Sequence, residues 1–354
     1  MLDMHEKIFI SIVVPMFNES ANIETLYRRL TTVLQKIGRP YEVICINDGS
    51  RDNTLALLME LNDRDEHFKV VDLSRNFGKE IALSAGIDFT RGQVVVPIDA
   101  DLQDPPELIV DLIAKWEEGY DVVYATRVER EGESCFKKWT AAMFYKSMQR
   151  LTSLDMPVNT GDFRLMSRQA IDALKELRES NRFMKGLFTW VGFRQAGITY
   201  KRDARFAGKT KWNYRKLWNL AMEGITSFSY LPLQWSMYFG LMVAFFAFVY
   251  GFYMIINTLL YGNPVPGYPS LMVVILFIGG VQLFTIGIIG QYIGRIYTET
   301  KRRPLYIVRG TCGLDLENDY KHDGIRNPEV SNRGGYYGQE LPGHSVYPGQ
   351  PIGL

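Results

Sequence analysis

Two aspartates, Asp99 and Asp101, stand two residues apart directly after an apolar run, and Gln103, Pro105 and Pro106 follow them. Carboxylate oxygens suit Mg²⁺ and Mn²⁺, and two carboxylates at this spacing leave coordination positions for the oxygens of a diphosphate. A metal ion held there would neutralise charge on a departing nucleoside diphosphate. Because acidic residues also cap many helices, the pair indicates a metal site only together with its neighbours.

Apolar runs and helical patterns alternate along residues 8–125. The runs lie at Ile8–Val14, Val43–Ile46, Val70–Leu73, Val94–Ile98 and Val122–Ala125, and the helical patterns between them lie at residues 21–37, 54–62, 80–89 and 106–118. Repeated βα units of this kind predict an α/β fold with a parallel sheet covered by helices on both faces.

Polar segments stand where each of these predicted strands ends. They are residues 15–19, 47–52, 74–80, 99–106 and 126–127. The carboxyl ends of parallel strands meet at one edge of a sheet, which is where α/β proteins bind ligands. We therefore expect one nucleotide site built from these segments.

The sequence lacks the signatures of several other function classes. It has no Gly-x-Gly-x-x-Gly after a predicted strand and no Gly-x-x-x-x-Gly-Lys-Ser/Thr, which argues against a dehydrogenase and a P-loop site. The 40 Lys and Arg residues balance 39 Asp and Glu, so we expect no nucleic-acid partner. Three separated cysteines and four isolated histidines exclude a disulfide framework and a zinc site built on Cys or His.

Residues 224–294 contain no Asp, Glu, Lys or Arg, and two long apolar segments lie inside this stretch. As helices, Trp235–Leu260 and Leu271–Ile293 would measure roughly 39 and 34 Å, enough to cross a hydrocarbon core of about 30 Å. Residues 261–270 between them hold several Gly and Pro residues and no Lys or Arg. We predict two transmembrane helices joined by a short extracytoplasmic turn.

Basic residues flank both predicted helices, at residues 201–216 and 295–303. By the positive-inside rule, the preceding domain and both termini face the cytoplasm, so we expect a multi-pass protein of the cell inner (plasma) membrane without a signal peptide. Residues 211–232 have the spacing of an amphipathic helix on the membrane surface. Residues 137–151 fit either such a helix or an ordinary helix packed on the domain.

Several segments, taken together and in order, resemble a known enzyme family. They are Val13–Glu19, Asn47–Ser50, Ser74–Glu80, Asp99–Glu107, Asn159–Arg164 and Arg205–Lys211, followed by the two apolar helices. They resemble the inverting glycosyltransferases of family 2, which have the GT-A fold with a Rossmann-like, mostly parallel sheet. Within that family they are similar to the polyisoprenyl-phosphate glycosyltransferases, the group of dolichol-phosphate mannose synthase and the two-span bactoprenol glucosyl transferases. The similarity covers about residues 7–308.

The resemblance implies a role for each matching residue. The residues that would bind the nucleotide sugar are Pro15, Asn18, Glu19, Asp48, Lys79 and Asp99. The metal, Mg²⁺ or Mn²⁺, would be bound by Asp99, Asp101 and Gln103, and the catalytic residues would be Asp101 and Asp162. The acceptor phosphate would be bound by Arg127, Lys137 or Lys138, Arg205 and Lys211. Cations at the acceptor site agree with the chemistry, because a dianionic acceptor must approach an anionic donor.

Asp162 corresponds to a carboxylate that is proposed as the base in relatives. A phosphate monoester has a second pKa near ~6, however, and is largely ionised at pH 7, so it needs little help to become a nucleophile. Asp162 could instead orient hydroxyl groups of the donor sugar or pair with Arg164.

The sequence thus predicts a GT-A domain at residues 1–210, a juxtamembrane helix at 211–232, two transmembrane helices within 233–296, a basic cytoplasmic segment at 297–309 and a disordered tail at 310–354. The expected reaction is metal-dependent transfer of a sugar, with inversion, from a UDP-sugar such as UDP-glucose to undecaprenyl or another polyprenyl phosphate. By analogy with the relatives, we also expect a homotetramer and a role in cell-envelope glycosylation.

Two alternatives belong to other classes. A processive polysaccharide synthase of the same superfamily would need a Gln-x-x-Arg-Trp motif and more apolar helices, and the sequence has neither. A non-catalytic membrane scaffold would bind a sugar nucleotide without turnover. The motifs identify neither the sugar nor the length of the lipid.

Overall fold

A computed structural model describes residues 7–127, 160–180, 182–200, 231–262 and 267–314. All of them belong to one unit, Met1–Leu314. The predicted helices at 137–151 and 211–232, and most of the predicted tail, lie outside the described residues.

Strands and helices alternate through the first part of the chain, as the sequence predicts. The strands are β1 (Ile10–Met16), β2 (Tyr41–Asn47), β3 (Phe68–Leu73), β4 (Val94–Pro97), β5 (Val122–Arg127), β6 (Thr160–Ser167), β7 (Gln195–Tyr200) and β8 (Val308–Cys312). The helices are α1 (Ile23–Ile37), α2 (Thr54–Arg64), α3 (Lys79–Asp88), α4 (Ile109–Glu117, after a 3₁₀ turn at Pro106–Leu108), α5 (Arg168–Glu176), α6 (Met184–Trp190), α7 (Leu231–Tyr261) and α8 (Tyr268–Thr300).

The strands of the described residues form one sheet in the order β7-β5-β6-β4-β1-β2-β3-β8. Most of them run in the same direction, whereas β6 and β8 are antiparallel to their neighbours. The predicted fold, a mostly parallel α/β sheet followed by two long apolar helices, is therefore confirmed.

Helix α3 packs very closely on the centre of the sheet. Its residues Ala82–Ile87 are all buried. A Cβ atom at Gly86 would lie 2.4 Å from side-chain atoms of both Val13 and Ile46, so only glycine permits this approach. This packing holds the first residue of the helix, Lys79, at the edge where the parallel strands end.

Strand β6 enters the sheet between β4 and β5 in the opposite direction. Its first residues therefore lie where the neighbouring strands end, which brings Asp162 to the carboxyl edge of the sheet. The sequence pattern did not predict this strand, because regular βα alternation gives no sign of an inserted antiparallel strand.

After the two long helices the chain returns to the sheet. β8 pairs antiparallel with β3, and the Ser74 amide donates to the Ile307 carbonyl at 2.9 Å. The tail was predicted to begin at residue 310, whereas β8 continues to Cys312. The open edge of β3 offers unpaired backbone groups, and a short segment with β-branched residues can pair with them.

Helices α7 and α8 contain two candidate membrane spans, Leu233–Tyr261 and Ser270–Thr300, with mean hydropathies of 2.2 and 2.5. Neither of their apolar cores is buried inside the molecule. α8 runs past residue 296, the predicted end of the second transmembrane helix. Exposed apolar surface of this extent is typical of contact with a membrane or a partner. The side of the membrane that each end faces stays a prediction.

Candidate active site

Four of the residues predicted to bind the nucleotide lie at the ends of β1 and β2: Pro15 is near the end of strand β1, and Asn18, Glu19 and Asp48 are in the loops that follow β1 and β2. Hydrogen bonds join these two loops: the Asn18 amide donates to Ser50 Oγ (3.0 Å), the Arg51 amide donates to Asn18 Oδ1 (2.8 Å), and the Glu19 amide donates to Thr54 Oγ1 (2.9 Å). Asn18 has a φ of 56°, a left-handed conformation that asparagine tolerates better than most residues. The loops therefore form one connected rim at the edge of the sheet.

Asp48 uses its carboxylate inside the protein. Oδ1 accepts from the Phe77 amide (2.7 Å) and Oδ2 accepts from the Gly78 amide (3.0 Å), just before α3 begins. Burial raises the pKa of Asp48, although these two amides oppose the shift. The neighbouring Gly49 has a φ of +64°, and a Cβ there would lie 2.6 Å from the Arg75 carbonyl carbon. Asp48 thus fixes the loop after β3, and its predicted contact with the nucleotide stays a prediction.

Lys79 connects two carboxylates that come from different strands. Its Nζ lies 2.7 Å from Asp99 Oδ1, after β4, and 2.6 Å from Asp162 Oδ2, in β6. The lysine side chain is 46% exposed, against 25% for Asp99 and 11% for Asp162, so Lys79 is the most exposed side chain of the cluster. Asp162 Oδ1 is buried and has no hydrogen-bond partner within the described chain, which leaves the cluster with an unused acceptor.

The charges of this cluster set its protonation. Burial opposes ionisation of Asp162, but Lys79 and then Lys185 outweigh it and lower the pKa of Asp162 to about 2. Burial raises the pKa of Asp99, with Lys79 acting against the shift and Asp162 adding to it. A carboxylate with a lowered pKa accepts a proton poorly at neutral pH, which favours an orienting role for Asp162 over that of a general base.

Asp101 and Gln103 lie on a sharply turned loop. The Gln103 amide donates to Asp101 Oδ1 (3.2 Å), and the buried Leu102 between them has a φ of 58°. A leucine in the left-handed region is strained, and strain of this kind is often found at functional sites.

A metal ion at Asp99 and Asp101 would need ligands from the substrate. Among the described residues no group of three His, Cys, Asp or Glu side chains could hold a metal ion. Mg²⁺ is commonly bound by one or two carboxylates together with substrate phosphates and water. The chemistry of the two aspartates fits an ion that is shared with a diphosphate.

Two arginines flank this cluster in different ways. Arg127, at the end of β5, donates from Nε to the Tyr200 hydroxyl (3.2 Å) and lies 3.6 Å from Asp104 Oδ1. Arg164 is buried, its guanidinium lies 4.0 Å from the centre of the Phe188 ring, and burial lowers its pKa to about 10. The ion-pair partner of Asp162 among the described residues is Lys79, whereas Arg164 acts on it at longer range.

Four residues of this region were missed by the sequence reasoning. Lys185 on α6 and Glu80 on α3 interact electrostatically with Asp162, and Asp104 and Tyr200 contact Arg127. Asp104 lies in the segment Asp99–Glu107, which carries the family resemblance, so its position could have indicated a functional role. Lys185 and Tyr200 stand outside the strand-end motifs, and no spacing rule points to them.

Four of the predicted acceptor-phosphate residues, Lys137, Lys138, Arg205 and Lys211, lie outside the described residues. Arg127 is the member of that set whose surroundings are known.

Comparison with known proteins finds two family models along the chain. The model described as glycosyl transferase family 2 matches residues 11–175, and the model described as GtrB C-terminal hairpin matches residues 231–296. The first contains the carboxyl-edge cluster and the second contains α7 with most of α8.

Similar proteins span almost the whole described chain. An uncharacterized glycosyltransferase of Synechocystis is 55% identical over 86% of this chain and 96% of its own length. A bactoprenol glucosyl transferase of Shigella phage SfX is 49% identical over 85% of this chain and 98% of its own length. Among solved structures, glucosyl-3-phosphoglycerate synthase from Mycobacterium tuberculosis is 20% identical, with a TM-score of 0.44 over 61% of this chain and 77% of that chain.

Proposed function

The chain belongs to glycosyl transferase family 2, and from this premise we propose that it transfers a sugar from a UDP-sugar to a polyprenyl phosphate at a membrane. The relatives named bactoprenol glucosyl transferase support a polyprenyl acceptor and make glucose the first sugar to test. A matched hairpin family at residues 231–296 and two long exposed apolar helices support a reaction at the bilayer. The homotetramer expected by analogy stays a prediction.

The observation that carries this proposal is the contact of Lys79 with both Asp99 and Asp162 at the carboxyl edge of the sheet. The cluster combines a solvent-accessible cation with carboxylates, and Asp101 follows on a strained loop. A nucleoside diphosphate needs cations near its phosphates, and a sugar needs acceptors for its hydroxyl groups. Lys79 supplies the cation, and the carboxylates of Asp99 and Asp162 beside it supply acceptor oxygens.

The proposed reaction is a single displacement. An oxygen of the acceptor phosphate attacks the anomeric carbon of the sugar, the bond from that carbon to the diphosphate oxygen breaks, and the nucleoside diphosphate leaves with the electron pair. In-line attack inverts the anomeric centre. The phosphate is largely ionised at pH 7, so no protein base is required. This agrees with the low pKa of Asp162, which then orients the donor sugar instead.

Asp99, Asp101 and Gln103 would hold a divalent metal, Mg²⁺ or Mn²⁺. When bound, such an ion neutralises part of the charge on the departing diphosphate. Lys79 contributes to the same neutralisation from the protein itself.

The acceptor headgroup is assigned to Arg127, together with Arg205, Lys211 and one or both of Lys137 and Lys138. The C-terminal end of α8 contacts the domain: the Ser180 amide donates to Glu299 (2.9 Å), and after the helix the Tyr306 hydroxyl donates to Asp88 (2.8 Å). These contacts hold the domain to the membrane helices, which favours a positioned reaction with a membrane-bound acceptor. The positive-inside rule assigns this site to the cytoplasmic face.

A transfer assay on the detergent-purified chain tests the proposal. Radiolabelled UDP-glucose, undecaprenyl phosphate and Mg²⁺ are mixed, and label is followed into the organic phase with and without EDTA. We expect EDTA-sensitive label in the lipid fraction and loss of turnover in Asp101→Asn. The exposed Asp111 on α4 provides a matched control, because Asp111→Asn removes the same charge away from the site. No lipid-linked label across a panel of UDP-sugars would refute the proposed function.

A further inference from the structure

Arg127 is held by a buried phenol and a buried carboxylate. Its Nε donates to the Tyr200 hydroxyl (3.2 Å), and that hydroxyl donates in turn to Asp104 Oδ1. Arg127 and Tyr200 are paired residues at the ends of the parallel strands β5 and β7. The register of the sheet therefore sets this contact, and loop geometry is not needed to explain it.

Exposure separates the three groups. Asp104 is 1% exposed and Tyr200 is 5% exposed, whereas the Arg127 side chain is 29% exposed. A Cβ at Gly161 would lie 2.7 Å from Arg127 Nη2, so the guanidinium rests against the backbone directly before Asp162. Arg127 is thus the member of the triad that solvent or a ligand can reach, and its guanidinium lies next to the residue before Asp162.

The hydrogen bonds leave Arg127 with unused donors. A guanidinium has five N–H donors. Nε is occupied by Tyr200, Nη2 is 3.6 Å from Asp104, and within the described chain Nη1 has no assigned partner. A built, partly buried cation with an open donor fork suits an anionic group such as a phosphate.

The hydroxyl of Tyr200 stands between the two opposite charges. Because it donates to Asp104 and accepts from Arg127, it keeps the ion pair at 3.6 Å, beyond hydrogen-bond distance. Burial, the charge of Asp104 and the hydrogen bond to Asp104 raise the pKa of Tyr200 to about 12, so the phenol remains a donor. Without the hydroxyl, Arg127 would lose the acceptor of its Nε, and its guanidinium could move toward Asp104.

We propose that Tyr200 and Asp104 are positioning residues for the acceptor: they aim the Arg127 guanidinium at the acceptor phosphate, and Tyr200 keeps Arg127 from a direct hydrogen bond with Asp104. This inference rests on the proposed function, because it names how one side chain of that site is prepared for its substrate. It assigns neither residue a contact with the reacting atoms.

Steady-state kinetics on the full chain test the inference, with the acceptor varied at saturating UDP-sugar. Tyr200→Phe should raise KM for polyprenyl phosphate about tenfold, the loss expected for one hydrogen bond to a charged group, with kcat and donor KM within about threefold. Asp104→Asn should raise the same KM by a similar factor, and the double variant should raise it little further, because both residues act through Arg127. Tyr41→Phe, at the opposite edge of the sheet, is the matched control.

The outcomes separate a positioning role from a structural one. An unchanged acceptor KM in Tyr200→Phe overturns the inference, and so does an equal loss in kcat and both KM values, or losses of the two single variants that simply add in the double variant. Binding of geranyl phosphate to the wild-type chain and to the single and double variants, measured by calorimetry, reads the same site without turnover. Wild-type turnover with an unaffected Tyr200→Phe refutes only this inference, whereas no wild-type turnover with any UDP-sugar refutes the proposed function.

Discussion

Replacing Lys79 by methionine removes the one ammonium that contacts both Asp99 and Asp162, and it keeps an unbranched side chain of similar length. The two carboxylates then share a site without their common counter-ion. Like charges this close disfavour ionisation of both groups. We therefore expect Lys79→Met to affect stability, cation binding and turnover together.

The magnitude follows from the exposure of the cluster. Removing one partner of a fully buried ion pair costs about 3–5 kcal/mol. Lys79 is 46% exposed, so water already screens part of this interaction and the expected loss is reduced to about 1–2 kcal/mol. For a domain of this size that corresponds to a melting temperature lower by about 2–8 °C. Loss of a preorganised charge at the leaving group should lower kcat by about 10²-fold or more.

Thermal unfolding in detergent, with and without Mg²⁺, measures the first two effects, and the transfer assay measures the third. Mg²⁺ should stabilise Lys79→Met more than the wild-type chain, because the ion no longer competes with Nζ for Asp99. Lys115→Met is the matched control: Lys115 is 40% exposed and pairs with Glu118 on the surface of α4. Its removal should change the melting temperature little and leave turnover unchanged, because solvent screens this exposed pair.

Equal loss of stability in Lys79→Met and Lys115→Met would refute the electrostatic reasoning about the cluster. Turnover of Lys79→Met close to that of the wild-type chain would separately refute the assignment of Lys79 to the leaving group. No additional stabilisation by Mg²⁺ would contradict the competition between lysine and metal.

Three further predictions follow from the surroundings of single residues. Asp162→Asn should lower kcat without moving the acid limb of its pH profile, because the pKa of Asp162 is already about 2; a limb that disappears would restore the base role. Burial and then Asp162 raise the pKa of Glu80 from 4.5 to about 7, so its ionisation destabilises the fold increasingly as pH rises through that interval. Glu80→Gln should therefore raise the melting temperature more at pH 8 than at pH 5, and an equal rise at both would count against this. Gly49→Ala should destabilise the chain by about 2 kcal/mol or more in thermal unfolding, since its Cβ would meet the Arg75 and Asn76 backbone at 2.6 Å in a left-handed conformation; an unchanged melting temperature would contradict the strain.

Much of the fold could be predicted from the sequence because its signals are local. An apolar β-branched run followed by a helical period defines a βα unit within a few tens of residues, and repeated units imply a parallel sheet. The same logic led to Asp99 and Asp101, since a strand end is a position along the chain. The two long helices could be predicted because residues 224–294 contain no charged side chain. The strand β8 could not be predicted in the same way. It forms because the open edge of β3 offers unpaired backbone groups, and the local sequence does not show that this edge is within reach.

The pairing of side chains was decided by the tertiary structure. Lys79 and Asp162 are 83 residues apart and Tyr200 and Asp104 are 96 apart, yet each pair is in direct contact. The reversed direction of β6 brings Asp162 to the edge where Asp99 lies, and the register of β5 with β7 sets Tyr200 beside Arg127. The sequence alone determined which residue types stand at the strand ends, because propensity and periodicity act between near neighbours. Strand order, direction and register arise only when the whole sheet assembles. They decided which of those residues contact each other as ion pairs or hydrogen bonds, and therefore which chemistry each residue can perform.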